Sequence, residues 1–175
     1  MVSVLFVCLG NICRSPAAEA VFKGIVAKKA TVDSFYIDSC GTGGGNPNWY
    51  KVGGWSYHEG DAADSRMTKE VENRGYIMTS RSRPLKKQDI ERFDYIICMD
   101  NDNKTAVIEA AEAWGGASCR DCADRKISMM TSYCRSFHNA THVPDPWYEG
   151  GFDHVLDILE DACEGLYNHI VAGNK

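Results

Sequence analysis

Three short apolar runs constrain this chain more than anything else in it. "VSVLFV" (residues 2–7), "FYIDSC" (35–40) and "FDYIICMD" (93–100) are rich in β-branched and aromatic residues. That is the make-up of strands buried on both faces. Between and after them run stretches with helical spacing. "AAEAVFKGIVAKK" sets Ala18, Val21, Phe22 and Ile25 on one face, and the C-terminal segment repeats the pattern from Phe152 through Leu159 to Ile170. Helices are also expected in "DAADSRMTKEVENRG", stopped by Gly75, and in "NKTAVIEAAEAW", capped by Asp100 or Asp102 and ended by Gly115-Gly116. A fourth strand is expected at "KISMM" (126–130). Strands alternating with helices run parallel, so the pattern defines an α/β chain whose sheet is covered on both faces. No repeat or linker breaks it, and 175 residues suit one domain over 1–175.

Charge narrows the partners. A formal net charge of −5 points to no nucleic acid and no membrane surface, so any anion site must be a local device in a mildly acidic surface. No run approaches the roughly 18 apolar residues of a membrane span, and no basic segment precedes the first strand. The eight cysteines lie in apolar segments or beside polar loops, a usage expected of a reduced, cytoplasmic protein.

The connection "VCLGNICRSP" (7–16) concentrates the chemistry. Ser15 offers an N-cap and Pro16 suits a first helical position. A free cysteine is only about 3% thiolate at pH 7. Cys8, at the carboxyl end of a strand and facing a helix start, would meet converging N–H groups from Leu9, Gly10, Asn11, Ile12, Cys13 and Arg14. The fork of Arg14 matches two phosphate oxygens, Ser15 can donate to the sulfur, and Asn11 can hold the loop's shape. Together they form a nucleophile inside an oxyanion cradle, as attack on a phosphate monoester requires. The competing reading is a tight turn with a buried cysteine and a surface arginine. A leaving group also needs a proton donor. Asp145, fixed between two prolines in "VPDPWYEGG", is the candidate.

The ten-residue loop resembles the signature of the low-molecular-weight protein tyrosine phosphatases. The resemblance continues through "ADSRM", "FDYIICMD" and "VPDPWY" to the last helix. It implies a three-layer fold, a four-stranded parallel sheet with helices on both faces. It implies hydrolysis of phosphotyrosine or aryl phosphate monoesters without metal or cofactor, through a cysteinyl-phosphate on Cys8, with inorganic phosphate as product. Asp145 would be the acid, and Ile12, Tyr57, Trp147 and Tyr148 would line the substrate cleft. Bulky Ile12 resembles the tyrosine-directed members rather than the protein-arginine phosphatases, which carry threonine there. Arsenate reduction and non-catalytic binding of phosphate or a phosphopeptide compete with hydrolysis as uses of the same loop. A monomer is expected.

Two stretches depart from the family. "GGGNPNWYKVGGW" (43–55) is absent from most members, and reads either as a lid or substrate contact through Trp49, Tyr50 or Trp55, or as a mobile surface insertion. Ser80-Arg81-Ser82-Arg83 replaces a His-x-Ala-Arg motif whose histidine helps anchor the loop asparagine, a task then open to Ser80. Cys13 is a candidate redox partner for Cys8. Cys119, Cys122, Cys134 and His138 superficially resemble zinc-ligand spacing, with the first pair in a polar loop, but match no compact finger.

Overall fold

The structure, a computed structural model, describes residues 1–29 and 31–173 and, within those, all side chains except Tyr148 and Glu149. Strand β1 (Val2–Cys8) leads into helix α1 (Arg14–Lys28), and β2 (Phe35–Gly41) is followed by a long connection and α2 (Ser65–Asn73). Then come α3 (Lys87–Arg92), β3 (Tyr95–Cys98), α4 (Asn101–Lys126), β4 (Ile127–Met129), α5 (Pro146–Glu149) and α6 (Phe152–Gly173). The four strands form one parallel sheet in the order β2-β1-β3-β4. This is the α/β three-layer arrangement expected from the apolar runs.

Alternation along β1 shows why both faces are covered. Val4, Phe6 and Cys8 join a core with Phe22 of α1, Met67 of α2 and Leu156 and Ile170 of α6. Leu5 and Val7 point the other way, into a second core with Ile90 of α3 and Val107 and Ala111 of α4. Neighbouring side chains of a strand face opposite sides, so one apolar run fills two cores. Cys8 is the last residue of that run, paired in register with Gly41. A central strand of the sheet therefore delivers it to the sheet's carboxyl edge, where α/β proteins bind ligands.

Helix boundaries depart from the sequence pattern in three places. The chain turns helical at Arg14, with Cys13 at the N-cap position and no side-chain cap. Ser15 therefore lies inside the first turn, and its hydroxyl is used elsewhere. Backbone at Gly115 and Gly116 leaves helical geometry as expected, but helix resumes through Lys126, so Cys119 and Cys122 sit on a helix and not in a loop. Cys119 packs in the α3–α4 core, whereas Cys134 packs against the α1–α6 core on the other side of the sheet, so the fold does not gather the suspected zinc set. Helix α3 is an addition, too short to show a period in the residues.

Phe22 is fully buried and meets Phe6 and Phe35 edge-on at 5.7 and 5.5 Å. Phe22→Ala should cost about 3–5 kcal/mol. Urea denaturation will measure it, and a loss below about 1 kcal/mol would contradict the packing described.

Candidate active site

The loop after β1 is held from outside. The Leu9 carbonyl accepts from the N–H groups of Thr42 (2.9 Å) and Gly44 (3.0 Å), that of Gly10 from the Ser82 hydroxyl (2.8 Å), and that of Ile12 from the Asp64 N–H (2.8 Å). In a planar trans peptide the carbonyl and the following N–H point opposite ways. Three outward carbonyls thus turn the N–H groups of Gly10, Asn11 and Cys13 inward. For Asn11 the result is direct: its N–H donates to Cys8 Sγ at 3.3 Å. The close approach needs Gly41, since a Cβ there would lie 2.8 Å from the Leu9 oxygen.

Asn11 is the pin. Its backbone is left-handed (φ 54°), a region asparagine visits more readily than most residues. Its buried amide donates to Ser15 Oγ (2.8 Å) and Ser39 Oγ (2.9 Å), and its oxygen accepts from the Arg83 N–H (3.0 Å). Because Ser15 Oγ accepts from Asn11, its own proton is free for Cys8 Sγ, 3.0 Å away. Ser39 in turn donates to the buried Glu19 (2.7 Å). Ser80 therefore does not anchor Asn11 directly: it sits one bond further out, 3.2 Å from Ser39 Oγ. Ser39 and Glu19 do that work, and nothing in their local sequence announces it.

Arg14, 2% exposed, is oriented by Asp100, whose sequence context suggests only a helix cap. Asp100 does cap α4, Oδ1 accepting from the Asn103 N–H (2.8 Å), while its other oxygen accepts from Arg14 Nη1 at 2.6 Å. The Val143 carbonyl accepts from the same nitrogen (3.1 Å). Asp145 starts α5 as its N-cap, Oδ1 accepting from the Trp147 N–H (3.1 Å) and Oδ2 lying 3.5 Å from Arg14 Nη2. The prolines on either side and this turn aim the carboxyl at the cradle. Cys8, Arg14, Asp145, Ile12 and Cys13 all line one cavity, with Trp147 at its edge.

One cleft wall differs from expectation. Tyr57 is half-exposed, its ring set edge-on to Trp55 at 4.5 Å, and it is not among the residues lining the cavity. His58, at φ 68°, takes that wall and faces Trp147 with ring centroids 5.8 Å apart. His58, the next residue along, lines the cavity in its place, something spacing could not reveal. The expected cleft role of Tyr148 lies outside the described side chains. The 43–55 insertion is tied down: Trp49 is buried, 5.9 Å edge-on to Trp114, whose indole N–H donates to the Tyr50 carbonyl (2.9 Å).

A cysteine at the floor of an inward-facing amide ring, with a guanidinium and a carboxyl above it, is the arrangement that attack by sulfur on a phosphate monoester requires. The sequence matches the family model for low molecular weight phosphotyrosine protein phosphatases over residues 3–175, and the chain belongs to that family. It is similar to the low molecular weight phosphotyrosine protein phosphatase of Homo sapiens, 41% identical over 161 residues (92% of this chain and 88% of that protein). It is also similar to the low molecular weight protein-tyrosine-phosphatase of Bacillus subtilis, 36% identical over 171 residues (95% and 94%). The crystal structure of a protein tyrosine phosphatase from Entamoeba histolytica superposes with a TM-score of 0.83 at 42% identity, covering all of both chains.

Ser39→Ala, which removes a direct partner from both Asn11 and Glu19, should cost about 1–3 kcal/mol, whereas Ser80→Ala should cost less than about 1 kcal/mol. Denaturation of the two variants side by side checks this ranking, and equal losses would refute it.

Proposed function

We propose that this protein, acting as a single domain over residues 1–175, hydrolyses phosphotyrosine or aryl phosphate monoesters to inorganic phosphate, with Cys8 as nucleophile, Arg14 as phosphate clamp and Asp145 as acid and base. The observation that carries the reading is the sulfur itself: the Ser15 hydroxyl and the Asn11 N–H both face Cys8 Sγ on the floor of the cavity that Arg14 and Asp145 also line. The inward N–H groups and the guanidinium bind phosphate oxygens and hold phosphorus above the sulfur. Sulfur attacks phosphorus, the phosphorus–oxygen ester bond breaks, and protonated Asp145 gives its proton to the departing phenolate. Asp145, now ionised, takes a proton from water as water attacks the cysteinyl-phosphate. The sulfur leaves as thiolate, steadied by the Ser15 hydroxyl.

Nearly buried Ile12 and the half-exposed Trp147 give the cavity apolar edges that suit an aryl group rather than a charged guanidinium leaving group. Among the described residues no helix is long and apolar enough to cross a membrane. All eight cysteines are free thiols, which supports a reduced, cytoplasmic setting, and the protein is taken to work as a monomer. Turnover of an aryl phosphate should vanish in Cys8→Ser, and kcat should fall about 10²–10⁴-fold in Asp145→Ala. A well-folded wild-type protein without turnover would favour the binding reading, and thiol-dependent reduction of arsenate would favour the reductase.

Cys13 lines the same cavity as Cys8, and its thiol is pushed well up by burial and then by the Asp64 carboxylate. Cys8, faced by the Ser15 hydroxyl and the Asn11 N–H, is the sulfur that reacts first. Peroxide oxidises the Cys8 sulfur to a sulfenic acid and is itself reduced to water. The Cys13 sulfur then displaces hydroxide, which leaves as water with the Cys13 proton, giving a reversible Cys8–Cys13 disulfide. Mass spectrometry after mild peroxide should find this bond; sulfonic acid on Cys8 with Cys13 free would refute it.

A further inference from the structure

The catalytic cavity is not closed on every side. It shares Leu9, Arg14 and Asp145 with a second, larger cavity of about 450 Å³, which runs between the 43–55 insertion and the first turns of α4. On the insertion side the wall is Asn46, Pro47 and Tyr50; on the α4 side it is Asp102, Ala106 and Glu109. The insertion wall is rigid: Trp49 and Trp114 lock its middle, and the Asn46 amide donates to the Trp55 carbonyl (2.7 Å) to close its neck. A chain bound with its phosphotyrosine over Cys8 has this groove as an open continuation.

The groove has a length and a charge. Asp102, Ala106 and Glu109 lie at i, i+4 and i+7, along one helix face. At about 1.5 Å rise per residue the two carboxylates are about 10 Å apart along the axis, the reach of about three residues of extended chain. Four carboxylates, Asp100, Asp102, Glu109 and Asp145, and one guanidinium, that of Arg14, line the groove. Arg14 is already committed to Asp100 and to the phosphate site. Asp102 and Glu109 are exposed and make no ion pair among the described residues. Carboxylates on one side and a tyrosine on the other are the surroundings that suit a cationic side chain, through charge and the face of the ring.

We propose that this groove is a substrate subsite that takes a lysine or arginine side chain flanking the phosphotyrosine, with Asp102 and Glu109 as the residues that select it. The proposal rests on the phosphatase reading above and deepens it to a substrate class, phosphotyrosyl proteins with basic residues near the modified tyrosine.

The test compares kcat/KM on three short phosphotyrosyl peptides, with Lys, Ala or Glu on both sides of the phosphotyrosine, each expressed relative to a small aryl phosphate. The wild-type protein should prefer the Lys peptide to the Glu peptide by about fivefold or more, and the preference should shrink as salt is raised. Asp102→Asn with Glu109→Gln should bring the two peptides within about twofold. Asp102→Lys with Glu109→Lys should invert the order, which a merely destabilised protein would not do. Equal rates on the three peptides, or a preference that the variants do not move, overturn the subsite while leaving the phosphatase reading intact. No turnover of the aryl phosphate or of any peptide sinks both.

Discussion

Left-handed backbone at a buried asparagine is the constraint on which the site depends. Asn11 sits at φ 54°, and its side chain bonds in three directions, to Ser15, to Ser39 and to the Arg83 N–H. Those bonds join the loop to α1, β2 and the segment before α3 at once. With Asn11 fixed, the Ser15 hydroxyl has its oxygen occupied and its proton directed to sulfur. The outward carbonyls of Leu9, Gly10 and Ile12 complete the shape, held by the start of the connection after β2, the 80–83 segment and the cap of α2. The amide ring is thus a consequence of bonds made on its outer side. Charge binding costs little reorganisation when the dipoles are already aimed.

Asp100 links the same site to the second core. One oxygen caps α4 and the other orients Arg14, so the helix that covers the far face of the sheet also aims the buried guanidinium. The long connection after β2 joins in from the opposite side. Gly44 donates its N–H to the Leu9 carbonyl, and the insertion a few residues later packs its tryptophan against α4. A stretch that reads as loose, glycine-rich chain is in fact pinned at both ends and in the middle, and it walls a groove that opens onto the Cys8 cavity.

Much of this is legible in the residues. The apolar runs and 3-4 spacings identify all four strands and the helices α1, α2 and α6, because burial on two faces leaves a strong mark on composition. Cys8, Arg14 and Asp145 stand out because a tight loop and a pair of prolines are local chemistry. Tyr57 misleads by one position: its neighbour His58 lines the cavity, and Tyr57 packs edge-on against Trp55. Ser80 misleads by distance, since Ser39, from a strand 28 residues after Asn11, stands between them. The second helical piece after Gly116 is hidden because the glycines signal a stop correctly but say nothing about a restart.

The amino-acid sequence by itself determined the parallel, two-faced sheet, the strand that ends at Cys8 and which side chains are candidates for the chemistry. Each of these follows from short-range pattern: apolar period, turn chemistry and the residue types a reaction needs. Only the tertiary structure decided who holds those groups in place and what lies beside them. Ser39, Glu19, Asp100 and the Trp49–Trp114 contact reach the site from distant segments. Hydrogen bonds and ring packing act over a few ångströms in space, and separation along the chain carries no information about them until the sheet has brought the segments together.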